Sequence, residues 1–285
     1  MPATVLFSPA KLNLYLHITG KRPDGFHELD MLMVPIDFGD ELSVRVESTR
    51  GESRIALSCD QPDLPVDGNN LCVRAAEAFL KRYGLQAEVD LQLRKRIPVG
   101  AGLGGGSSNG ATVLLALREL LKPDASDAEL AELAARFGSD TAFFIYQRPA
   151  VCRGRGEIIE PRELTQDYQG LLVHPGFGVA TPWAYRTYAA DPKPGVEGKT
   201  TADGFALRND LEPPAFGKHL WLPATKEWFQ AQPEVWDALM SGSGSSVFAL
   251  VEESAAISGL RERFHRECGE SLFSTPFRVT GRDRL

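Results

Sequence analysis

A chain of 285 residues with a formal net charge of −7, 43% hydrophobic and 24% charged, has room for one large mixed unit or two smaller ones sharing an interface. Its composition excludes a fibrous or disordered protein. The acidic balance excludes nucleic acid as the expected partner, because the one short basic run, Arg94-Lys95-Arg96, is too small to reverse it. No run approaches membrane-spanning length, and Met1 to Pro9 has neither the basic start nor the apolar stretch of a signal peptide, so a cytoplasmic protein with small-molecule partners and no membrane contact is expected.

The four cysteines, Cys59, Cys72, Cys152 and Cys268, form no Cys-x-x-Cys pair, and the five histidines form no His-x-x-x-His pair, so neither a zinc site nor a disulfide framework is indicated. Thr4 to Phe7 reads as a strand. In the next, Leu12, Leu14, Leu16 and Ile18 alternate with Lys11, Asn13, Tyr15, His17 and Thr19, which puts the four apolar side chains on one face. Lys21-Arg22-Pro23-Asp24-Gly25 has turn chemistry, and Leu42, Val44 and Val46 alternate after it, predicting an antiparallel N-terminal sheet. Asn70 to Tyr83 is a predicted helix, and Val89, Leu91 and Leu93 mark another strand. From Ser107 the spacing is helical, with Val113, Leu117 and Leu120 on one face and Lys122-Pro123 closing the helix. Ser126-Asp127-Ala128-Glu129 is a capping box that opens a further helix, expected to end at Gly138. The apolar run Ala142 to Tyr146, the glycine-punctuated Arg153-Gly154-Arg155-Gly156 and the loop-rich stretch Ala189 to Asp203 follow. They put the division between two lobes near residue 160, with 1–160 binding nucleotide and 161–285 forming the second lobe.

Pro98-Val99-Gly100-Ala101-Gly102-Leu103-Gly104-Gly105-Gly106-Ser107-Ser108 concentrates five glycines and two hydroxyls immediately before a helix. Glycines let successive backbone N–H groups converge on phosphate oxygens, and the helix end adds unpaired N–H groups and partial positive charge. Ser107 and Ser108 supply hydroxyl donors, with Ser108 the candidate magnesium ligand. Two other signatures fit the letters. Gly100 to Gly105 matches the dinucleotide fingerprint, and Gly106-Ser107-Ser108-Asn109-Gly110 matches the nucleophile elbow of serine hydrolases. Both need a strand running straight into the turn, and Arg94-Lys95-Arg96-Ile97-Pro98 is a poor strand end. The P-loop pattern is absent, since no Gly-Lys-Ser/Thr follows, so an essential lysine must come from elsewhere.

Three segments in order, Ser8-Pro9-Ala10-Lys11-Leu12-Asn13-Leu14, the loop from Pro98 to Ser108, and Ser241-Gly242-Ser243-Gly244-Ser245-Ser246 before the apolar Val247 to Val251, resemble the GHMP kinase superfamily. Within it, Thr19-Gly20-Lys21-Arg22-Pro23-Asp24-Gly25-Phe26-His27, Asn209-Asp210-Leu211-Glu212 and Met240 to Ser245 are similar to the kinases of 4-diphosphocytidyl-2-C-methylerythritol. The resemblance implies an α+β fold of two lobes, the N-terminal one like the second domain of ribosomal protein S5 and the C-terminal one ferredoxin-like, with the site between them. It implies ATP as co-substrate, magnesium, and phosphorylation of the 2-hydroxyl of a cytidine-diphosphate sugar alcohol in the non-mevalonate isoprenoid pathway. The sequence departs from the family where Gly138-Ser139-Asp140-Thr141-Ala142-Phe143-Phe144 lacks the usual proline, at Gly110 where alanine is usual, and at Phe26 where tyrosine is frequent.

By the same resemblance, Asp140 is the expected acceptor of the hydroxyl proton and Lys11 the cation that holds it ionised; taken alone, Ser-Asp after glycine reads equally as a helix N-cap and a lone lysine as a solvated charge. Pro98, Gly100, Gly102, Leu103, Gly104, Gly105, Gly106, Ser107 and Ser108 are expected to bind ATP. Asn13, Phe26, His27, Tyr185, Ser241, Gly242 and Ser243 are expected at the acceptor, with Phe26 and Tyr185 stacking on the base and His27 reading its edge. Arg153 and Arg155 are possible anion contacts that more often do nothing specific. The rivals are a GHMP kinase with a mevalonate, homoserine or sugar acceptor, a serine hydrolase using Ser108, and a nucleotide-binding protein without catalysis.

Overall fold

In the computed structural model, the described residues are 3–253 and 256–280; Met1 and Pro2 of the amino-terminal segment lie outside them. The chain opens with two long antiparallel strands, β1 (Thr4–Lys21) and β2 (His27–Ser48), joined by a turn in which the Asp24 carboxylate accepts the Phe26 N–H at 3.1 Å. β3 (Arg54–Cys59), α1 (Leu71–Tyr83) and β4 (Ala87–Arg94) follow. The side chain of Asn70 caps α1 by accepting from the Cys72 N–H. Next come α2 (Gly105–Leu121), α3 (Asp127–Ala134), α4 (Thr141–Tyr146), β5 (Ala150–Gly154) and β6 (Ile158–Pro161). β4 pairs with β2, β3 with β4, β5 with β2 and β6 with β5, so β6, which straddles residue 160, still belongs to the first sheet. Leu42, Val44, Val46, Val89 and Leu91 pack on Cys72, Phe79, Val113 and Leu117 of α1 and α2, forming the first core.

Two expectations are corrected here. Leu12, Leu14, Leu16 and Ile18 do not share a face. The ladder with β2 shifts register between Asn13 and Tyr15, and that bulge sends Leu12 and Leu14 into one core and Leu16 and Ile18 against the other. The capping box at Ser126 and Glu129 forms as expected, but α3 stops at Ala134, four residues short of Gly138. Its end tightens, with Arg136 N–H donating to Leu133 O and Phe137 N–H to Ala134 O, each three residues back.

The second lobe is built from β7 (Gln169–His174), α5 (Thr181–Ala190), β8 (Arg208–Asn209), α6 (Glu212–Lys218), α7 (Trp221–Gln230), β9 (Val235–Met240), β10 (Val247–Val251), α8 (Ala256–Cys268) and β11 (Phe273–Arg278). Its sheet runs β11-β7-β10-β9 with every pairing antiparallel. With helices after β7 and β10, this is the ferredoxin-like β-α-β-β-α-β arrangement that the resemblance implies. β8 leaves this lobe and lies parallel to β1, pairing Tyr15 with Arg208 and Leu16 with Asn209. A second core lies between the lobes, where Ala10, Leu12, Leu14, Val34 and Ile36 meet Leu172, Leu239, Phe248, Leu250 and Phe277. No helix among the described residues is long and apolar enough to cross a membrane.

Candidate active site

A cleft of about 750 Å³ gathers the glycine loop, Lys11 and Asn13 of β1, Phe26 and His27 from the first hairpin, Asp140, Tyr185 of α5, and Gly242 and Ser243. The loop runs from the end of β4 into α2, which starts at Gly105, two residues earlier than its apolar spacing predicted. Gly104 caps it without any side-chain hydrogen bond, so the first-turn N–H groups have no intrahelical acceptor and the helix presents an anion site. The loop is held from behind by its carbonyls: Leu103 O accepts Lys11 N–H at 3.0 Å and Ala101 O accepts Ser246 N–H at 3.1 Å.

Gly102, at φ +76°, shows how tightly the two glycine-rich loops interlock. A Cβ there would sit 2.1 Å from Ser241 O and 3.0 Å from Gly244 N, both backbone atoms. Gly102→Ala therefore has to separate the loops. A strain of about 1–3 kcal/mol is expected to weaken ATP about ten- to hundredfold, which a nucleotide titration reads; unchanged affinity would show that the interlock does not shape the phosphate site.

Lys11 is a buried charge of the cleft, 3% exposed, with its stem against Gly104. Its Nζ donates to Asn13 Oδ1 at 2.6 Å and lies 3.9 Å from Asp140 Oδ2. Burial draws the Lys11 pKa below the ordinary lysine value, and the Asp140 carboxylate opposes that shift. Asp140 occupies the N-cap position of α4, yet its side chain makes no capping hydrogen bond. The carboxylate approaches Lys11 instead, which weighs against the capping reading. Asp140 makes this approach with Thr141-Ala142 following it. Cys152, also buried, is held protonated by desolvation and by Asp140.

At the other end of the cleft the His27 ring stacks on Tyr185, centroids 5.2 Å apart and planes 26° from parallel. His27 Nε2 is buried without a hydrogen-bond partner. Desolvation, then Lys21, lowers the His27 pKa and favours the neutral ring, which has both a donor and an acceptor. Burial pushes the Tyr185 hydroxyl pKa up, and Asp140 acts in the same direction. Phe26 is half exposed with the Arg155 guanidinium 4.7 Å from its ring centroid. Arg155 thus lines the cleft, whereas Arg153 is taken up by Glu160 at 2.8 Å and Asp30 at 3.7 Å.

Of the expected phosphate-loop residues, Pro98 to Ser107 line the cleft and Ser108 does not. Ser108 is fully buried, its hydroxyl 2.8 Å from that of Ser8, so it faces neither the cleft where a magnesium ion was expected nor solvent, as the nucleophile of a hydrolase needs. Ser241 is likewise buried rather than facing the acceptor, and its hydroxyl donates to Gly102 O at 3.1 Å. Ser243 lines the cleft with its hydroxyl 2.8 Å from that of Thr181. Sequence reasoning missed Asn69, Asn70, Lys95, Asn109 and Arg186 of the lining. Lys95, dismissed as part of a short basic run, tucks its side chain, 6% exposed, behind the loop, paired with Asp40 and donating to Asn109 Oδ1 at 3.2 Å. Asn109 in turn donates to Asp40 and to Ser8, so a closed polar network supports the first turn of α2. The position of Lys95 just before the glycine loop was the available signal.

Residues 70–148 match the family described as the GHMP kinases N terminal domain, and residues 201–270 the GHMP kinases C terminal. A 4-diphosphocytidyl-2-C-methyl-D-erythritol kinase of Methylacidiphilum infernorum (isolate V4) is 47% identical over 248 residues, 86% of this chain and 85% of the relative. One from Geobacter sp. (strain M21) is 38% identical over 257 residues, 88% and 90% of the two chains. A crystal structure of 4-(cytidine 5'-diphospho)-2C-methyl-D-erythritol kinase superposes with a TM-score of 0.78 at 32% identity, covering 98% of this chain and all of that one. A homoserine kinase from Cytophaga hutchinsonii shares the fold at a TM-score of 0.72 and 17% identity, covering 99% of this chain and 95% of that one. With both halves matched and such identity over most of each relative, the chain belongs to the GHMP kinases and, among them, to the 4-diphosphocytidyl-2-C-methyl-D-erythritol kinases.

Proposed function

We infer that this kinase transfers the γ-phosphoryl group of ATP to the 2-hydroxyl of 4-diphosphocytidyl-2-C-methyl-D-erythritol. The observation that carries the reading is the Lys11–Asp140 pair, 3.9 Å apart beside the uncapped start of α2. Phosphoryl transfer asks the protein chiefly for positioning and charge neutralisation. The acceptor oxygen bonds to the γ-phosphorus as the bond to the β–γ bridging oxygen breaks; the hydroxyl proton passes to the Asp140 carboxylate and ADP leaves. Lys11, oriented by Asn13, faces the Asp140 carboxylate and neutralises charge on the transferring group. First-turn N–H groups of α2 hold the remaining phosphates.

No group of three or more His, Cys, Asp or Glu side chains suited to a metal occurs among the described residues. Among the oxygen donors of the cleft, the Ser107 hydroxyl and the Asp140 carboxylate fit a hard cation carried mainly by phosphate oxygens. Ser107 would hold a magnesium ion with those phosphates, and the ion would supply charge neutralisation. The unpartnered His27 Nε2, between the rings of Tyr185 and the Phe26 turn, supports a flat base with a hydrogen-bonding edge as the far end of the acceptor.

The test is coupled ADP release with ATP, magnesium and 4-diphosphocytidyl-2-C-methyl-D-erythritol. Turnover is expected, and Phe26→Ala and His27→Ala are each expected to raise KM for that acceptor about ten- to hundredfold, in line with about 1–3 kcal/mol per stacked or edge-read base. An unchanged KM in both variants would point to a mevalonate, homoserine or sugar acceptor. ATP binding without turnover of any acceptor would support a non-catalytic nucleotide-binding protein.

A further inference from the structure

The segment Asn209-Asp210-Leu211-Glu212 lies outside the cleft, yet its three polar side chains are all buried, and each has partners that bear on the site. Asn209 Nδ2 donates to Met240 O at 2.7 Å and to Gly242 O at 2.8 Å, while its Oδ1 accepts from Leu211 N–H at 2.9 Å. Glu212 accepts the Met240 N–H at 3.0 Å, so the segment grips the chain on both sides of Met240. Asp210 accepts the Ile18 N–H at 2.8 Å, and Asn209 pairs with Leu16 in the parallel ladder between β8 and β1. One short segment therefore holds both the strand that carries Lys11 and the loop that carries Gly242. Those two meet at the reaction centre: at φ +56°, a Cβ on Gly242 would lie 3.0 Å from Lys11 Nζ and 3.4 Å from Asn13 Oδ1.

We propose that Asn209 is a positioning residue for phosphoryl transfer, fixing the Gly242 loop against the Lys11–Asn13 pair. Its amide suits this task, because two donors on one planar group span two carbonyls of the same loop while the oxygen anchors the group to its own backbone. The inference rests on Lys11 and Asp140 being the transfer centre. Nothing in the role requires Asn209 to touch ATP, so its effect falls mainly on kcat and reaches nucleotide affinity only through the contact of its loop with Gly102.

Asn209→Asp tests it, since the side chain keeps its size and the bond from Leu211 N–H but turns an oxygen toward two carbonyls. The kcat per folded molecule is expected to fall about a hundredfold, as for a misplacement of about 1 Å, with the Kd for ATP rising by about tenfold at most through the contact of the loop with Gly102. Hydrogen exchange of the amides in 240–246 is expected to quicken while that of 169–174 stays as in wild type. Asn209→Ser, which loses the clamp without adding charge, gives the same pattern more weakly and decides the matter if the aspartate variant does not fold. An unchanged kcat in a folded variant, or a loss of kcat matched by an equal loss of ATP affinity, would overturn the proposal. An inert wild type would count against the proposed reaction, and the exchange measurement, which needs no turnover, would still overturn the clamp if 240–246 remained protected.

Discussion

In the Asp140→Asn protein, kcat is expected to fall about 10²–10⁴-fold, the range for loss of a positioned general base, while ATP still binds. Asparagine is nearly isosteric and Asp140 makes no capping hydrogen bond that the change would break, so the fold has little to lose. The variant separates two readings of the carboxylate. A cap would show its loss in stability, whereas a base shows it in turnover. Loss of nucleotide affinity equal to the loss of kcat would sink the assignment, because the carboxylate would then be shaping the ATP site.

Lys11→Met carries the other large effect, and its two readouts are expected to move in opposite directions. Removing the cation should lower kcat about 10²–10³-fold, the scale for deleting one preorganised electrostatic group. The melting temperature should rise, because the desolvation of Lys11 outweighs its attraction to Asp140, and the carboxylate left behind is 30% exposed and can be hydrated. The pH dependence follows from the lowered pKa. Below the folded value Lys11 is charged in both states and the native state bears the full cost of burying it. Between that value and the ordinary 10.5 only the unfolded chain holds the proton, so wild-type stability rises with pH across this window and that of Lys11→Met does not. Activity runs the other way, falling as pH climbs through the folded pKa. A variant with a lower melting temperature and near-normal kcat would mean that Lys11 is a structural charge.

The parts of the site legible in the sequence were those whose chemistry is local. Five glycines ahead of a helical spacing announce an anion site because loop and helix end act together within a few residues, and the cleft does form there. Asp140 is a different case: Gly-Ser-Asp before an apolar run has the same letters whether the carboxylate caps its helix or turns to Lys11, and only the distant strand decides. The β1 register failed for a related reason. A bulge is set by the partner strand, so strict alternation put Leu16 on the wrong face. The second lobe was hardest to read: β8 has two residues, too few for a period, and α5 to α7 are interrupted by loops. Ser107 lines the cleft and Ser108 does not, because adjacent serines on a helix point about 100° apart and the sequence does not say which one meets the cleft.

The apolar seam between the lobes has a consequence for how the molecule behaves as a whole. Leu12 and Leu14 alternate along β1 with Lys11 and Asn13, so the strand that carries the reacting cation is glued on its reverse face to Phe248 and Leu239 of the other sheet. A hinge at this seam would have to expose that surface on every turnover. Because the seam is shared, the two lobes are expected to melt in one transition, which calorimetry checks. A C-terminal lobe grafted from a relative would have to bring matching seam side chains before it could bring a new specificity.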